Sequence, residues 1–448
     1  MNSLKLNLIG LIVLTSTLIT NAQQNTLSLN LDEIVSLAIE ANKDVRIAEL
    51  DIQKSEVNKE ETKSKLLPQV ELYSQFSYKY AIPKIIVPGA IFGQPGSIPL
   101  EFGTKYDWST GIKFSQLLYN QSYFTSIKIQ EELIAANKLN LIQKQEELAH
   151  QVSKLYYLCT NIKQQLQVMD TALLSMQKLA DIIQLRSDNG MARPVDKERV
   201  VSDINAFKIE KIKMNALYDR QINLLKVLTG INLNQTLVLT DTQNQSTSTN
   251  FLTENNSAQR TQIQLLDKQL EIKQLQHKAL KQSYYPSLAA FGQHFYQAQR
   301  NEIDFFKSDE DIFYKSGIIG LNLSIPLFDG FEKKNKISKT NIEIEQLRLK
   351  REHIEQFFTS EYTDALNNYQ NMLQTLTIQK ENMAFAKNLY EANMLGYKQQ
   401  VISLTDLIIS ENQLAKSHMS YNDALLKLNL SRLEIERIQG NIIKQNQQ

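Results

Sequence analysis

The segment 121–186 contains neither proline nor glycine, the two residues that interrupt helices most strongly. Within it, apolar side chains recur at spacings that alternate between four and three residues. They are Leu148, Val152, Leu155, Cys159, Ile162, Leu166, Met169, Leu173, Met176, Ala180 and Ile183. A repeat of about 3.5 residues is typical of helices that supercoil around partner helices. We therefore predict one long helix over about 121–187, on the order of 100 Å in length.

The chain also repeats itself once. The segment 66–70 resembles 284–288 around a shared proline, and 114–120 resembles 323–329. The second match is offset by 209 residues but the prolines by 218, so the first copy carries about nine extra residues in one loop. Each copy is predicted to contain a helix, a strand, a loop, a second strand, a long helix, a tight turn and a returning helix. The first helix of the first copy is predicted from near Leu31 to Leu66, ending before Pro68.

The second copy contains its own long helix, predicted over about 332–396. Its apolar seam is less regular than the first, because Gln379 and Asn393 occupy seam positions. We expect looser packing toward that end. Methionine and aromatic residues at this spacing indicate a packed helical core, not a cofactor site. The seam comprises Phe358, Tyr362, Ala365, Tyr369, Met372, Leu376, Gln379, Met383, Ala386, Tyr390 and Asn393.

Four strands are predicted, at about 69–80, 106–116, 287–298 and 313–325. Three of them alternate apolar and polar side chains with period two, the pattern of a strand with two different faces. The strand at 287–298 alternates poorly, and its faces stay unassigned. This length and pattern is typical of strands in an outer-membrane barrel, whereas a soluble sandwich edge is the alternative.

Four strands cannot close a barrel that contains a pore, and open strand edges cannot face lipid. After the first residues, no apolar run approaches the roughly 18 residues that a membrane helix needs. We therefore expect strands to make any membrane crossing and three chains to share a barrel of about twelve strands. The predicted fold class is mainly α with a small antiparallel β part. A coiled-coil scaffold without a pore, in the periplasm or at the cell surface, is the alternative.

The order along the chain follows from these elements. Lys5, the apolar segment 6–19 and the small residues before Gln23 indicate a signal peptide. The segment 241–250 is polar and of low complexity, which is typical of a connection between domains. The predicted divisions are a signal peptide at 1–22, a first repeat at 23–230, a linker at 231–257, a second repeat at 258–440 and a polar tail at 441–448.

The loop between the first two strands, 81–103, has its own composition. It holds four prolines and four glycines, a content that favours turns over regular structure. Its extra length relative to the second copy predicts an exposed lid on the outer side of the membrane.

Composition argues against several classes of function. With 49 Lys plus Arg and 48 Asp plus Glu, no net charge favours nucleic acid. The five histidines lie scattered, and Cys159, the only cysteine, lies on the apolar seam, which predicts a packed thiol. No phosphate-binding loop, nucleophile elbow or paired-cysteine metal site is present in the sequence. We predict no enzymatic activity, no cofactor and no metal site.

Both long helices must turn back, and 188–190 and 396–400 contain the residues that make such turns. Asp196 and Asp406 follow at matching positions in the first turn of the returning helices. Each carboxylate can complement the helix dipole, which contributes about 0.3–1 kcal/mol. Around a threefold axis, Asp406 would also form a ring of carboxylates that attracts cations. Both aspartates are candidate gate residues, with Asp406 the stronger.

The duplicated plan resembles the TolC family of outer-membrane efflux proteins over about 27–440. The clearest motif is 401–407 (VISLTDL), similar to the family's G-x-x-S-x-x-D-V-L, with Gln400 at the usual glycine. In the first copy, 190–196 keeps the glycine and the aspartate but has Arg193 in place of serine. Asp406 matches the first of two aspartates that ring the closed constriction in some members, and Ile409 replaces the second.

The resemblance implies a twelve-stranded barrel continued by a coiled-coil α-helical barrel in the periplasm, formed by a homotrimer. It implies outer-membrane lipid, a periplasmic adaptor protein and an inner-membrane pump as partners. The cargo, the pump and the choice between drug efflux, protein secretion and metal efflux stay open. The residues that would contact the adaptor at the periplasmic tips are Gly190, Met191, Ala192, Arg193, Gln400, Val401 and Ile402.

Overall fold

The computed structural model describes residues 26–191, 193–240, 260–307 and 312–443. The predicted signal peptide and most of the predicted linker lie outside these ranges. The fold is mainly helical with a small β part, as predicted. The helices are α1 (Leu31–Ala41), α2 (Lys43–Ser64), α3 (Gln121–Asp188), α4 (Pro194–Thr229), α5 (Thr261–Gln282), α6 (Glu332–Lys398) and α7 (Leu404–Gln439). The strands are β1 (Leu27–Leu29), β2 (Gln69–Tyr78), β3 (Lys84–Pro88), β4 (Ser97–Glu101), β5 (Tyr106–Tyr119), β6 (Leu237–Leu239), β7 (Ser287–Arg300) and β8 (Tyr314–Ser324).

The apolar seam of α3 is the buried face of that helix. None of its eleven positions is exposed, and Val152, Cys159 and Ile183 are completely buried. Burial raises the pKa of the Cys159 thiol to about 12, so this cysteine packs as an apolar side chain. In α6 only four seam residues are buried, which agrees with its weaker sequence pattern. They are Phe358, Ala365, Tyr369 and Ala386.

The helix predicted to run from Leu31 to Leu66 is two helices, which corrects that prediction. Asn30 caps α1 through a hydrogen bond to its side chain from the Glu33 backbone N–H (2.9 Å). At Asn42 the backbone is extended, and the Asn42 amide donates to the Leu228 carbonyl oxygen (3.3 Å). The break allows the end of α1 to reach the end of α4. The hydrophobic periodicity alone did not reveal this tertiary bond.

The main sheet is antiparallel with the order β2-β5-β7-β8, so β2 and β8 are its edges. The register places the apolar residues of β2, β5 and β8 on the same face. Phe76 pairs with Trp108, Leu72 pairs with Ile112, and Gly292 of β7 pairs with Ile319 of β8. One continuous face of the sheet is therefore apolar.

The register also assigns the faces of β7. His294 lies on the apolar face opposite Ile112, whereas Phe291 and Phe295 lie on the polar face opposite Ser115 and Gly111. These three residues break the alternation of apolar and polar side chains along β7, which explains why its faces could not be assigned from the sequence.

Aromatic side chains pack together near the loop that joins β7 to β8. Phe305, Phe306 and Phe313 each approach the Trp108 ring edge-on, with centroids 5.7, 5.3 and 5.6 Å away. Phe305 also contacts Phe76 and is buried. Residues on both sides of the undescribed segment 308–311 thus lie against the same tryptophan.

The loop 81–103 is not irregular throughout. It contains the β3–β4 hairpin, paired from Lys84–Glu101 to Pro88–Ser97, around a 3₁₀ turn at Gly89–Phe92. The apolar residues at 85–87, 98 and 100 favour strand pairing. The glycines and three of the four prolines lie outside the strands or at their ends, while Pro99 lies within β4 opposite Ile86.

Two predicted boundaries need correction. The linker predicted at 231–257 contains β6, which pairs in parallel with β1, and Leu237 and Leu239 are buried. The polar composition begins only at Asp241, so the prediction started the linker too early; 241–257 lies outside the described residues. In the predicted polar tail Ile442 is buried, and 444–448 also lies outside the described residues.

The chain forms two compact units, and each contains parts of both sequence repeats. One unit comprises Met1–Asn42, Leu148–Thr249 and Tyr369–Leu433. The other comprises Lys43–Glu147, Asn250–Asn368 and Glu434–Gln448, and it includes the four-stranded sheet. Among the described residues, no helix has both the length and the apolar character that a bilayer crossing requires.

Gly111 provides a test of the sheet register. A Cβ atom at Gly111 would lie 2.3 Å from the His294 carbonyl oxygen, whereas one at Gly292 would approach nothing closer than 3.7 Å. Overpacking of a rigid site costs about 1–3 kcal/mol. We expect Gly111→Ala to lower the temperature at which the detergent-purified protein loses its strand circular dichroism. Gly292→Ala is the matched control and should melt like the wild type. Equal melting of the two variants would contradict the register.

Candidate functional site

The four helix ends at the two tight turns share one apolar cluster, and all of its residues belong to the same compact unit. Ile183 of α3, Val200 of α4 and Leu407 of α7 are completely or almost completely buried in it. Together these residues fix the two turns as neighbouring structures. The buried members are Leu173, Met176, Leu179, Ile183, Val200, Ile204, Tyr397, Leu407 and Ile408.

The first turn ends α3 with a left-handed glycine. Gly190 has φ 70°, a backbone conformation that glycine adopts without steric cost. The Met191 N–H donates to the Arg186 carbonyl oxygen (2.8 Å), and the Gly190 N–H donates to that of Ser187 (2.9 Å). These bonds satisfy the last carbonyl groups of α3, as in a Schellman motif. α4 then begins at Pro194, a residue well suited to the first position of a helix.

The second turn has the same shape but a different residue at its left-handed position. Gln400, 210 residues after Gly190, has φ 66°, and the Val401 N–H donates to the Gly396 carbonyl oxygen (2.9 Å). A non-glycine residue in this conformation costs roughly 1–2 kcal/mol. Ile402 packs directly over Gly396, where an added Cβ atom would lie 2.5 Å from its Cγ1 atom. The repeat is therefore preserved in backbone conformation where the sequence differs.

The two candidate gate aspartates occupy equivalent places but have different partners. Arg193 Nη2 donates to Asp196 Oδ1 (2.9 Å), and this hydrogen bond holds the pKa of Asp196 below its ordinary value. Asp406 instead accepts a hydrogen bond from the Ser403 hydroxyl (2.7 Å), which in turn accepts one from the Asp406 backbone N–H (3.1 Å). Asp196 is thus paired with a cation, whereas Asp406 is paired with a neutral hydroxyl.

Most of the predicted tip residues lie on the surface of the chain. Met191 is 72% exposed and Val401 is 76% exposed, while Gly190, Arg193 and Gln400 are also exposed. Ile402 differs from these exposed residues, because its side chain packs against Gly396 and is half-buried. Ala192 lies outside the described residues. The turns thus present two large apolar side chains to their surroundings.

Two contacts at the turns were missed by the sequence analysis. Arg199 Nη1 of α4 donates to the Thr405 hydroxyl of α7 (3.0 Å), which joins the two returning helices. The Arg186 guanidinium of α3 lies 4.7 Å from the centre of the Tyr397 ring of α6. Each pair joins residues far apart in the chain, so no local pattern marks it. Within the described ranges, no group of three or more His, Cys, Asp or Glu residues is arranged to hold a metal ion.

Solved structures of outer-membrane proteins share this fold. The chain is similar to VceC from Vibrio cholerae, with a TM-score of 0.71 and 12% identity over 92% of this chain and 96% of that one. The CmeC outer membrane channel of Campylobacter jejuni gives a TM-score of 0.71 and 15% identity over 92% and 85% of the two chains. The MtrE outer membrane channel of Neisseria gonorrhoeae, in its open state, gives 0.70 and 15% over 93% and 90%. At these identities the similarity establishes the fold alone.

The amino-acid sequence gives the more specific result. No curated protein matches the chain in sequence. The family described as outer membrane efflux protein matches it over residues 34–231 and 252–441, which include most of the first repeat, all of the second and both turns. On this match, and with the fold in agreement, the chain belongs to the outer membrane efflux protein family.

Proposed function

We propose that three copies of this chain form a passive duct through the outer membrane, without catalytic chemistry. The observation that carries the proposal is the four-stranded sheet with an exposed apolar face and two edge strands. Leu72 is 77% exposed and Ile319 is 86% exposed, at opposite edges of the same face. A soluble monomer rarely exposes a continuous apolar surface of this kind. Lipid is the partner that suits this face, because its strands also carry aromatic side chains such as Phe76 of β2 and Trp108 of β5.

Trimerisation follows from the strand count. β2 and β8 each have one side without a partner strand among the described residues. Unpaired backbone groups are costly in a bilayer, so each edge must pair with a neighbouring chain. Three copies supply twelve strands, and a barrel of that size encloses an aqueous channel. The opposite face, with side chains such as Gln75, Asp107 and Gln293, would line it.

The helical turns are the proposed periplasmic end of the duct. α3 and α6, of 68 and 67 residues, lead from the sheet strands to these turns. The exposed Met191 and Val401 side chains suit contact with a periplasmic adaptor, which an inner-membrane pump would join. The predicted signal peptide at 1–22 would direct export. The duct would serve either a tripartite efflux pump or a type I secretion system.

Asp406 is the proposed gate residue. The Asp406 carboxylate accepts a hydrogen bond from the neutral Ser403 hydroxyl, and among the described residues it forms no ion pair with a cationic side chain. In a trimer, three such carboxylates around a narrow axis would attract cations and repel one another. Asp196 is less suited to this role, because Arg193 neutralises it within the same chain. The structure of a single chain thus favours Asp406 over Asp196.

Planar-bilayer recording tests the duct and its gate together. We expect the wild-type protein to conduct and to be blocked by divalent cations from one side. Asp406→Asn should weaken this block and lower the preference for cations about tenfold or less, since it removes three charges from one ring. Asp196→Asn is the matched control, because it removes a charge that Arg193 already compensates. If both variants keep wild-type selectivity and block, the carboxylates only cap their helices.

The position of the β3–β4 hairpin tests the orientation. Gly93 has φ 70° and no neighbouring atom within 4 Å of an added Cβ, so an insertion after it has open space around it. We expect an epitope inserted there to bind antibody on intact cells and to leave export unchanged. The same epitope inserted after Gly190, which also has open space around it, should bind only after the outer membrane is broken. The reverse pattern of accessibility would overturn the orientation.

A further inference from the structure

A cavity of about 910 Å³ lies between α3, α6 and α7, entirely within one compact unit. Its volume is in the range of small-molecule sites in proteins. Asn161 of α3 donates to the Asn422 carbonyl oxygen of α7 (2.8 Å), which bridges the two helices at the cavity. α6 lines it only through Lys387, Tyr390 and Glu391, in the region where the apolar seam of that helix is weakest.

Glu411 is the buried acid of this cavity. Glu411 is only 5% exposed, and its Oε2 atom has no hydrogen-bond donor among the described residues. The Tyr390 and Ser175 hydroxyls face the same carboxyl group and favour its ionised form. Burial outweighs them and raises the pKa of Glu411 above its ordinary value. A buried carboxylate oxygen without a donor is costly and requires a partner.

The other charged groups around the cavity do not supply that partner. Lys387 pairs with Glu391 on α6 (4.0 Å), and both side chains are exposed. Burial, together with the nearby Lys387, lowers the pKa of His418, so the imidazole stays neutral near pH 7. Glu411 is therefore a buried acid of the cavity that pairs with no cationic side chain among the described residues. A second buried polar atom, Thr160 Oγ1, also has no hydrogen-bond partner among the described residues.

Aromatic rings form much of the remaining wall. Tyr156, Tyr157, Tyr390 and Tyr421 all line the cavity. The Tyr156 hydroxyl donates to the Thr240 carbonyl oxygen (2.5 Å), which fixes its ring, and Tyr157 packs edge-on against it with centroids 6.1 Å apart. Tyrosine faces attract organic cations through their electron-rich π systems.

We propose that this cavity binds a monovalent organic cation with an aromatic or apolar body. The cationic group would lie against Glu411 and neutralise its carboxylate. The tyrosine rings would contact the aromatic or apolar part of the ligand. The proposal is independent of the duct, because it concerns only the cavity within one unit. It predicts a proton linkage as well. A cation favours the ionised carboxylate, so binding should weaken as the pH falls through the pKa of Glu411, which burial raises.

Isothermal titration of the intact, detergent-purified protein with benzyltrimethylammonium tests the proposal. Benzyl alcohol is the neutral probe of similar shape. We expect the cation to bind to the wild type and Glu411→Gln to weaken it about tenfold or more, since an isosteric amide removes only the charge. Asp423→Asn is the matched control, because that acid of α7 has an exposed side chain, does not line the cavity and is paired with Lys427 (2.8 Å). It should change the affinity less than about threefold.

Two further measurements keep the result clear. Unchanged oligomer mass and circular dichroism must show that Glu411→Gln is folded. If that variant is misfolded, wild-type titrations over a series of pH values decide, since the affinity for the cation should fall as the pH is lowered and the affinity for benzyl alcohol should not. The proposal is overturned if the cation does not bind at millimolar concentration, if benzyl alcohol binds equally well, or if the affinity for the cation does not fall as the pH is lowered.

Discussion

Backbone hydrogen bonding at the two sheet edges governs the rest of this molecule. β5 and β7 are paired on both sides, whereas β2 and β8 present one row of N–H and C=O groups each without a partner strand in the described chain. The adjoining face is apolar. A bilayer tolerates no open edge, so in the proposed duct the sheet would continue into other chains. On that proposal the single chain is an incomplete structure.

The helical part meets a different requirement, that of turning long helices back at a defined place. A shared apolar cluster holds both turns, and a left-handed residue ends the first helix of each pair. Gly190 fits that conformation without strain, whereas Gln400 does not, and Ile402 packs over Gly396 at the second turn. The duplicated plan therefore survives at the level of backbone conformation. The charges placed on it differ, with Asp196 paired to Arg193 and Asp406 paired only to Ser403.

The features predictable from sequence were those with a regular spacing of apolar residues or with recognisable turn residues. The α3 seam, the four main strands and the two turns all follow from spacing or from turn residues. The faces of β7 did not, because His294 and Phe295 each lie on the face opposite to their polarity. The break at Asn42 and the Arg199–Thr405 contact depend on residues distant in sequence, which no local pattern encodes. At the candidate gate, the positions of the two aspartates were predictable, but the partner that distinguishes them was visible only in three dimensions.

The assembly state tests the central claim most directly. Native mass spectrometry of the protein, extracted from outer membranes in mild detergent, measures the number of chains in the particle. Pairing of β2 with β8 of a neighbouring chain predicts one species with the mass of three chains, and dissociation should occur only with loss of the strand circular dichroism. A stable single chain that keeps its strand signal would contradict the account, because the edges would then need no partner.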